Sequence, residues 1–324
     1  MKRTSLGITD LNASAICYGS AGFGSSRSGR DLARLINHYR DAGGNFLDTA
    51  HAYSFWLPQG TGCSERAIGQ YIRENGRGDL IIATKGGHPP ASGYERTENY
   101  LSAARIGADI DDSLANLQLY TLDLFWLHRD DTRRPVGEIL ETLNAEVRRG
   151  RIRWFGASNW HHTRMQESRD HAAEHGLQSF CANQPEWNLA QRSDEPPDGP
   201  GTGQEMRTLS PSDRRWHRET GTPIVSYSSA AAGYFASHGR RVEKVYDTPT
   251  SRDRLERVLD LACRQDVTPG QIALAWLLNQ DIEVVPIIGT LDTAHLSECL
   301  AAANVLLSPE EVGWLEHGEK RGQS

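Results

Sequence analysis

The chain has 324 residues, 38% of them hydrophobic and 24% charged, enough apolar sequence for one large domain or two modest ones and too much for wholesale disorder. Its formal net charge of −7 leaves no electrostatic footprint for nucleic acid or for an anionic membrane surface. No apolar run approaches the roughly 20 residues of a membrane span, the basic start "MKRTSLGITDLNAS" has no apolar segment behind it, and the five scattered cysteines lack metal-ligand spacing and read as buried, reduced thiols, so a cytoplasmic protein is expected.

The elements follow in chain order. "TSLGITDLNAS" reads as a short hairpin. Strand candidates come at 13–21, 45–50, 80–87, 122–128, 152–159, 179–187, 223–229 and 283–290. Several are apolar without alternation, as strands of a parallel sheet covered on both sides are. Between them lie amphipathic patterns with stop and start signals. The run 30–44 ends in Gly-Gly, and 64–76 opens on a serine cap and closes on Gly76. Helical patterns continue at 108–119, 134–150, 163–176, 251–265 and 268–280. Eight nearly even βα units predict a (β/α)₈ TIM barrel over 1–324, one domain, with the hairpin as a plug at its bottom and long loops at the C-terminal face. The segment 191–217, rich in Pro, Gly and charge, breaks the pattern as a long loop insertion, either a lid or disordered. The terminal "EKRGQS" reads as a frayed tail.

In a barrel, chemistry gathers at the C-terminal ends of the strands. The second strand ends in Asp48, with His51 and Tyr53 just after it, the third in Lys85 and the fourth in His128. The fifth brings Ser158 and Asn159, the sixth Gln184 and the seventh Tyr227. Each alone has a bland reading as a cap or a solvated side chain. Together, a titratable group closing three successive apolar strands is costly unless the groups meet. Asp48 would pair with Lys85. The ammonium would lower the pKa of Tyr53 and burial would raise it. Tyr53 is thereby a proton donor, and His128 could orient a substrate oxygen. Tyrosine and lysine beside a carbonyl are the equipment for reducing it by hydride.

The motifs "NFLDTAHAY", "IIATKGG", "DLFWLH", "GASN", "NQPEWN" and "VPIIGTLDTAHLSE" resemble those of the aldo-keto reductases, in order and over nearly the whole chain. The resemblance implies a (β/α)₈ barrel and a nicotinamide cofactor, NADP(H) favoured over NAD(H), held extended without a Rossmann domain. It implies Asp48, Tyr53, Lys85 and His128 as the catalytic four. It implies Ser158, Asn159 and Gln184 at the carboxamide and Tyr227 stacked on the nicotinamide ring. Gly289, Thr290, His295 and Glu298 would serve the adenosine end. The chain departs from the family pattern at His51, Ser54, Leu291 and Cys299, and in "SSAAAGYF" after Tyr227. Arg240, Arg241 and Lys244 could supply charge for a 2′-phosphate, or form a solvated basic loop.

A local rival, "GSAGFGSSRSG" at 19–29, mimics a dinucleotide fingerprint but has Arg27 at the third glycine position. Its glycines read better as places where backbone lies close to cofactor or substrate. The expected function is hydride transfer between nicotinamide and a small carbonyl or alcohol, with Tyr53 as acid or base. Trp56, Trp160 and Trp187 on post-strand loops, with His51, His88 and Arg129 as polar partners, suggest a sugar-like or polyhydroxylated substrate; the bland reading of the tryptophans is loop packing. An aryl or aliphatic aldehyde is the alternative. A cofactor-binding sensor barrel is the rival from another class, and a metal-dependent hydrolase using His51, His88, His128 and Asp48 a remote third. No metal is expected, and monomer and homo-oligomer are both left open.

Overall fold

The structure is a computed structural model. It describes residues 1–96, 99–195, 198–240 and 244–318, and of Lys244 the backbone alone. The expected tail at 319–324, and Arg241 with the Lys244 side chain, lie outside the described residues.

Eight parallel strands close into a barrel: β3 (Cys17–Gly19), β4 (Phe46–Asp48), β5 (Ile81–Gly86), β6 (Leu122–Leu127), β7 (Ile152–Ser158), β8 (Asn183–Gln184), β9 (Ile224–Ser226) and β10 (Val284–Ile288). They pair in chain order, and β10 returns to β3. The fold is thus the (β/α)₈ barrel expected. Each of the eight strand candidates contains one stave, though the staves are shorter than the apolar runs. Around them lie α1 (Gly29–Asp41), α2 (Cys63–Asn75), α3 (Ala103–Leu117), α4 (Val136–Arg148), α5 (His162–His175), α6 (Pro211–Thr220), α7 (Pro249–Gln265), α8 (Pro269–Leu278), α9 (Thr293–Ala301) and α10 (Pro309–His317).

Strand alternation positions the site. Phe46, Ile81, Ala83, Leu124, Trp126, Ala182, Val225 and Val285 pack together inside the barrel. Their neighbours Leu47, Ile82, Phe125 and Leu127 pack outward under the helices. With a side-chain period of two, the inward positions run on to Asp48, Lys85, His128, Gln184 and Tyr227 at the strands' C-terminal ends. The same residues that make the staves aim the polar groups at one point above the core.

The N-terminal hairpin, β1 (Arg3–Ser5) paired with β2 (Asn12–Ser14), is present as expected. Leu6 and Leu11 from its turn are buried among the inward-facing strand residues, so it stoppers the barrel's lower end. Gly7 at the turn has φ +54, and a Cβ there would lie 2.9 Å from Pro223 Cδ; glycine meets both demands.

The stretch 191–217 is not loop throughout. Ser210 caps α6 in a reciprocal box with Asp213, Pro211 follows at the first turn, and the helix runs to Thr220. The described part before it is laid on the barrel mouth. Asp130 N donates to Gly203 O (2.9 Å), Thr132 N to Thr202 O (3.2 Å) and Glu186 N to Arg207 O (2.8 Å).

Candidate active site

Lys85 and Asp48, 2% and 1% exposed, form an ion pair above the core. The ammonium also donates to Thr49 O (2.8 Å) and the Tyr53 hydroxyl (3.2 Å), so all three of its protons are placed. The other oxygen of Asp48 accepts from Gln184 Nε2 at 3.0 Å. A buried pair satisfied this completely meets the condition under which a paired charge is tolerable in a core. Burial acts to lower the Lys85 pKa, but Asp48 and Tyr53 outweigh it and hold the ammonium above its ordinary value. For Tyr53 the balance falls the other way: burial raises the phenol by more than Lys85 lowers it.

His128 completes the group. Its ring meets the Tyr53 ring edge-on, centroids 6.2 Å apart. Burial, reinforced by the charge of Arg129, pushes its imidazole well below the ordinary value, and its Nδ1 is buried without a partner among the described residues. Asp48, Tyr53, Lys85 and His128, the four expected to act together, are therefore brought together.

Ser158, Asn159 and Gln184 line up beside them and bond to one another. Ser158 Oγ donates to Gln184 O (2.8 Å) and Asn159 Nδ2 to Ser158 Oγ (3.0 Å). Asn159 sits at φ +64, a conformation asparagine tolerates better than most residues, which swings it inward out of strand alternation. Its Oδ1 accepts from the Tyr227 hydroxyl at 2.7 Å and from Arg207 N at 2.9 Å.

A cavity of about 340 Å³ runs from Tyr53 past Gly19, Ser20, Ser229 and Tyr246 to Gly289, Thr290 and His295. Glu298 is set back from it: its carboxylate takes the Thr268 hydroxyl (2.6 Å) and lines a small adjoining cavity with His295 and Cys299. Of the glycines at 19–29, Gly19 alone lines the main cavity. Gly22 and Gly24 are needed for packing, since a Cβ would lie 2.7 Å from Leu291 and 2.6 Å from Cys63 O.

The residues expected to face the substrate divide. His88 stacks edge-on against His128 with centroids 4.8 Å apart, and Arg129 donates to His128 O at 2.7 Å. The other four lie elsewhere. His51 is buried, bonded to Tyr94 (3.0 Å) and paired with Asp112 (3.3 Å), and it lines a separate cleft with Arg66 and Arg96. Trp56 is 60% exposed and touches its neighbour Phe55. Trp160 is buried against Phe180 at 4.7 Å, with Arg164 over its ring. Trp187 packs on Trp276 (5.3 Å) and lines a different, polar cavity. The tryptophan platform expected for a sugar ring is not assembled, because three loop aromatics found nearer apolar partners. Tyr94 and Phe55, with ring centroids 5.5 and 6.0 Å from that of His88, are aromatics that reach the site's edge. Phe55 stands beside the larger Trp56 in sequence. Tyr246 also escaped the sequence reading. It sits in a short 3₁₀ turn (Lys244–Tyr246) with no periodic signal, and its hydroxyl donates to the buried Glu186 at 2.5 Å.

The set His51, His88, His128 and Asp48 does not converge on a metal position, since Asp48 is held by Lys85 and His51 pairs with Asp112 in a separate cleft. Among the described residues the group with ligand spacing is His161, His162 and Asp213, outside this cavity. There His161 is hydrogen-bonded to Asp198 and His162 to Asp213, each at 3.0 Å.

The sequence comparisons agree with this geometry. The Aldo/keto reductase family profile matches residues 15–318. An uncharacterised oxidoreductase, YrpG, of Bacillus subtilis is 26% identical over 321 residues, covering 96% of this chain and 93% of that protein. Norsolorinic acid reductase B of Aspergillus parasiticus is 27% identical over 332 residues, covering 95% and 81%. The same-named reductase of Dothistroma septosporum is 26% identical over 331 residues, covering 94% and 78%. With the family profile spanning nearly the whole chain and the barrel closed as such proteins require, this chain belongs to the aldo/keto reductase family.

Proposed function

We propose that the protein is a nicotinamide-dependent reductase of a small carbonyl compound, with Tyr53 donating the proton. The observation that carries this reading is the buried Asp48–Lys85–Tyr53 chain, with His128 beside it, opening into the cavity that leads to His295. A nicotinamide cofactor bound in that cavity supplies or accepts the hydride.

The residues fit such a cofactor. The cavity is lined by hydroxyl groups of Tyr53, Ser20 and Ser229 and by the His295 imidazole. Small residues at 228–233 wall its middle. Positive φ at Ser228 (+52), Ala231 (+47) and Ala232 (+51) folds that backbone tightly, as backbone does where it cradles phosphate oxygens. Asn159, now bonded to Ser158 and Tyr227, and Gln184, now bonded to Asp48, would hold a carboxamide. Tyr227 would flank the ring. NADP(H) is proposed over NAD(H) on the habit of the family. The cavity's far end offers one basic ring, His295, with Nδ1 3.1 Å from Thr290 Oγ1.

The protein's own groups do the rest. Lys85, fixed by Asp48, polarises the Tyr53 O–H. Tyr53 then releases its proton to an oxygen that is gaining charge, and takes it back in the reverse direction. His128, held neutral, donates a hydrogen bond to that oxygen and orients it.

The test is oxidation of NADPH and NADH followed with a panel of aldehydes and ketones. Turnover is expected, faster with NADPH. Tight NADPH binding without turnover of any carbonyl would replace this reading with a cofactor-binding sensor.

A further inference from the structure

Two positive charges stand at the barrel mouth near Tyr53, and they are treated differently. Lys85 has its carboxylate partner. Arg129 has none among the described residues, although it is followed at once by two aspartates. Asp130 is taken by Arg164, which holds both its oxygens at 2.9 and 3.0 Å. Asp131 is taken by Arg133 at 2.8 Å. Among the described residues the Arg129 guanidinium makes one hydrogen bond, from Nη1 to the carbonyl of His128. That carbonyl also accepts from Asn159 Nδ2 at 3.3 Å, and Asn159 Oδ1 in turn accepts from Tyr227. The guanidinium therefore lies among His128, Asn159 and Tyr227, half-buried, with donors left over among the described residues.

A half-buried guanidinium without a counter-charge is costly and stays charged. An anionic ligand group would supply the missing partner. The cofactor's far end is the wrong place to find it. Arg129 follows β6, and β6 is four strands from β10 in either direction around the barrel. The groove lined by Gly289, Thr290 and His295 follows β10, on the opposite rim. Arg129 instead stands on the side where His88 and His128 face each other. Its charge helps burial hold both imidazoles neutral, His88 down at about 4, so neither competes for an anion at neutral pH.

We propose that Arg129 binds an anionic group, carboxylate or phosphate, carried by the carbonyl substrate, and thereby sets the substrate class of the site. This rests on the reductase reading above. Arg129 is a specificity residue and takes no proton.

The test compares kcat/KM for matched probes, carboxybenzaldehyde against benzaldehyde and glyceraldehyde phosphate against glyceraldehyde, in the wild type, Arg129→Met and Arg129→Lys. The wild type is expected to prefer the anion in at least one pair by about tenfold to a hundredfold, mainly through KM. Which pair shows it tells carboxylate from phosphate. The ratio should fall towards one in Arg129→Met and be partly kept in Arg129→Lys. Ratios near one in both wild-type pairs, or a preference that survives in Arg129→Met, overturn the proposal. Calorimetric binding of benzoate and inorganic phosphate against benzamide, to the protein with NADP⁺, repeats the comparison without turnover. Anion-selective binding lost in Arg129→Met, with no aldehyde turned over, sinks the reductase reading and supports the anion site. Turnover without anion preference does the reverse.

Discussion

Tyr53 keeps its proton at neutral pH because burial outweighs the pull of Lys85. The sign fixes a prediction. A group that must be protonated to donate, with its pKa raised, leaves the reductive kcat/KM level through neutral pH. The alkaline fall should begin only above the ordinary phenol value of 10.0. A fall starting near neutrality in the pH profile would contradict the role. At the same site, Asp48→Asn leaves Lys85 buried without its counter-charge, a loss of about 3–5 kcal/mol where the charge persists. A denaturant melt should show much of that loss; an unchanged midpoint would mean the pair is not buried as described. The pairing itself was legible, since charges closing successive apolar strands have to meet. The substrate side was not. His51 stands three residues from Asp48 in sequence, yet its bonds to Tyr94 and Asp112 are made across space with side chains that no local pattern indicates.

At the scale of elements, alternation did most of the positioning. Once β4, β5 and β6 were recognised as buried strands, a period of two put Asp48, Lys85 and His128 on the inside. Helices that are short or strongly polar leave less trace in the sequence. The sequence of α6 is "PSDRRWHRET", strongly polar, and its start signal, Ser210 three residues before Asp213, lay inside a Pro- and Gly-rich stretch read as loop. α9 and α10, nine residues each, are too short to show a clear period, although Ser308 and Glu311 form a capping box for α10. Tryptophans mislead for a related reason. A large ring on a loop packs wherever apolar area is nearest, and periodicity says nothing about where that is. The N-terminal hairpin gives a test at this scale. Leu6 is fully buried against the inward-facing strand residues. Leu6→Ala should therefore cost about 2–5 kcal/mol, read as a lowered melting temperature with cofactor affinity kept. Loss of cofactor affinity without loss of stability would mean the hairpin does something other than close the barrel.

For the whole molecule, neutral buried histidines set the acid limit of stability. Burial pushes His217 down to about 4 from 6.5, and His88 likewise. In that window the unfolded chain binds protons that the native chain refuses. Their contribution is therefore complete above pH 6.5 and is lost as pH falls towards 4. For the fully buried His217 the shift corresponds to about 3 kcal/mol. Thermal melts should fall steeply across this range, and a flat profile would show that these rings are not held neutral. The barrel is also the reason family and fold could be read so far from one sequence. Eight staves each end in a fixed direction, so the order of the strand ends is the order of the groups around the mouth. What faces the substrate depends on how the loops lie over that mouth, and loop contacts leave no periodic trace.

The proposed reaction passes hydride between a nicotinamide and a carbonyl carbon while Tyr53 moves the proton. The most direct measurement follows deuterium from ring-labelled NADPH into the alcohol product in a single turnover, in the wild type and in Tyr53→Phe. The wild type should place the label on the carbinol carbon. Tyr53→Phe should slow its appearance by about 10²–10⁴-fold with cofactor affinity nearly intact. Label absent from the carbinol carbon, or arriving equally fast in Tyr53→Phe, would contradict the account.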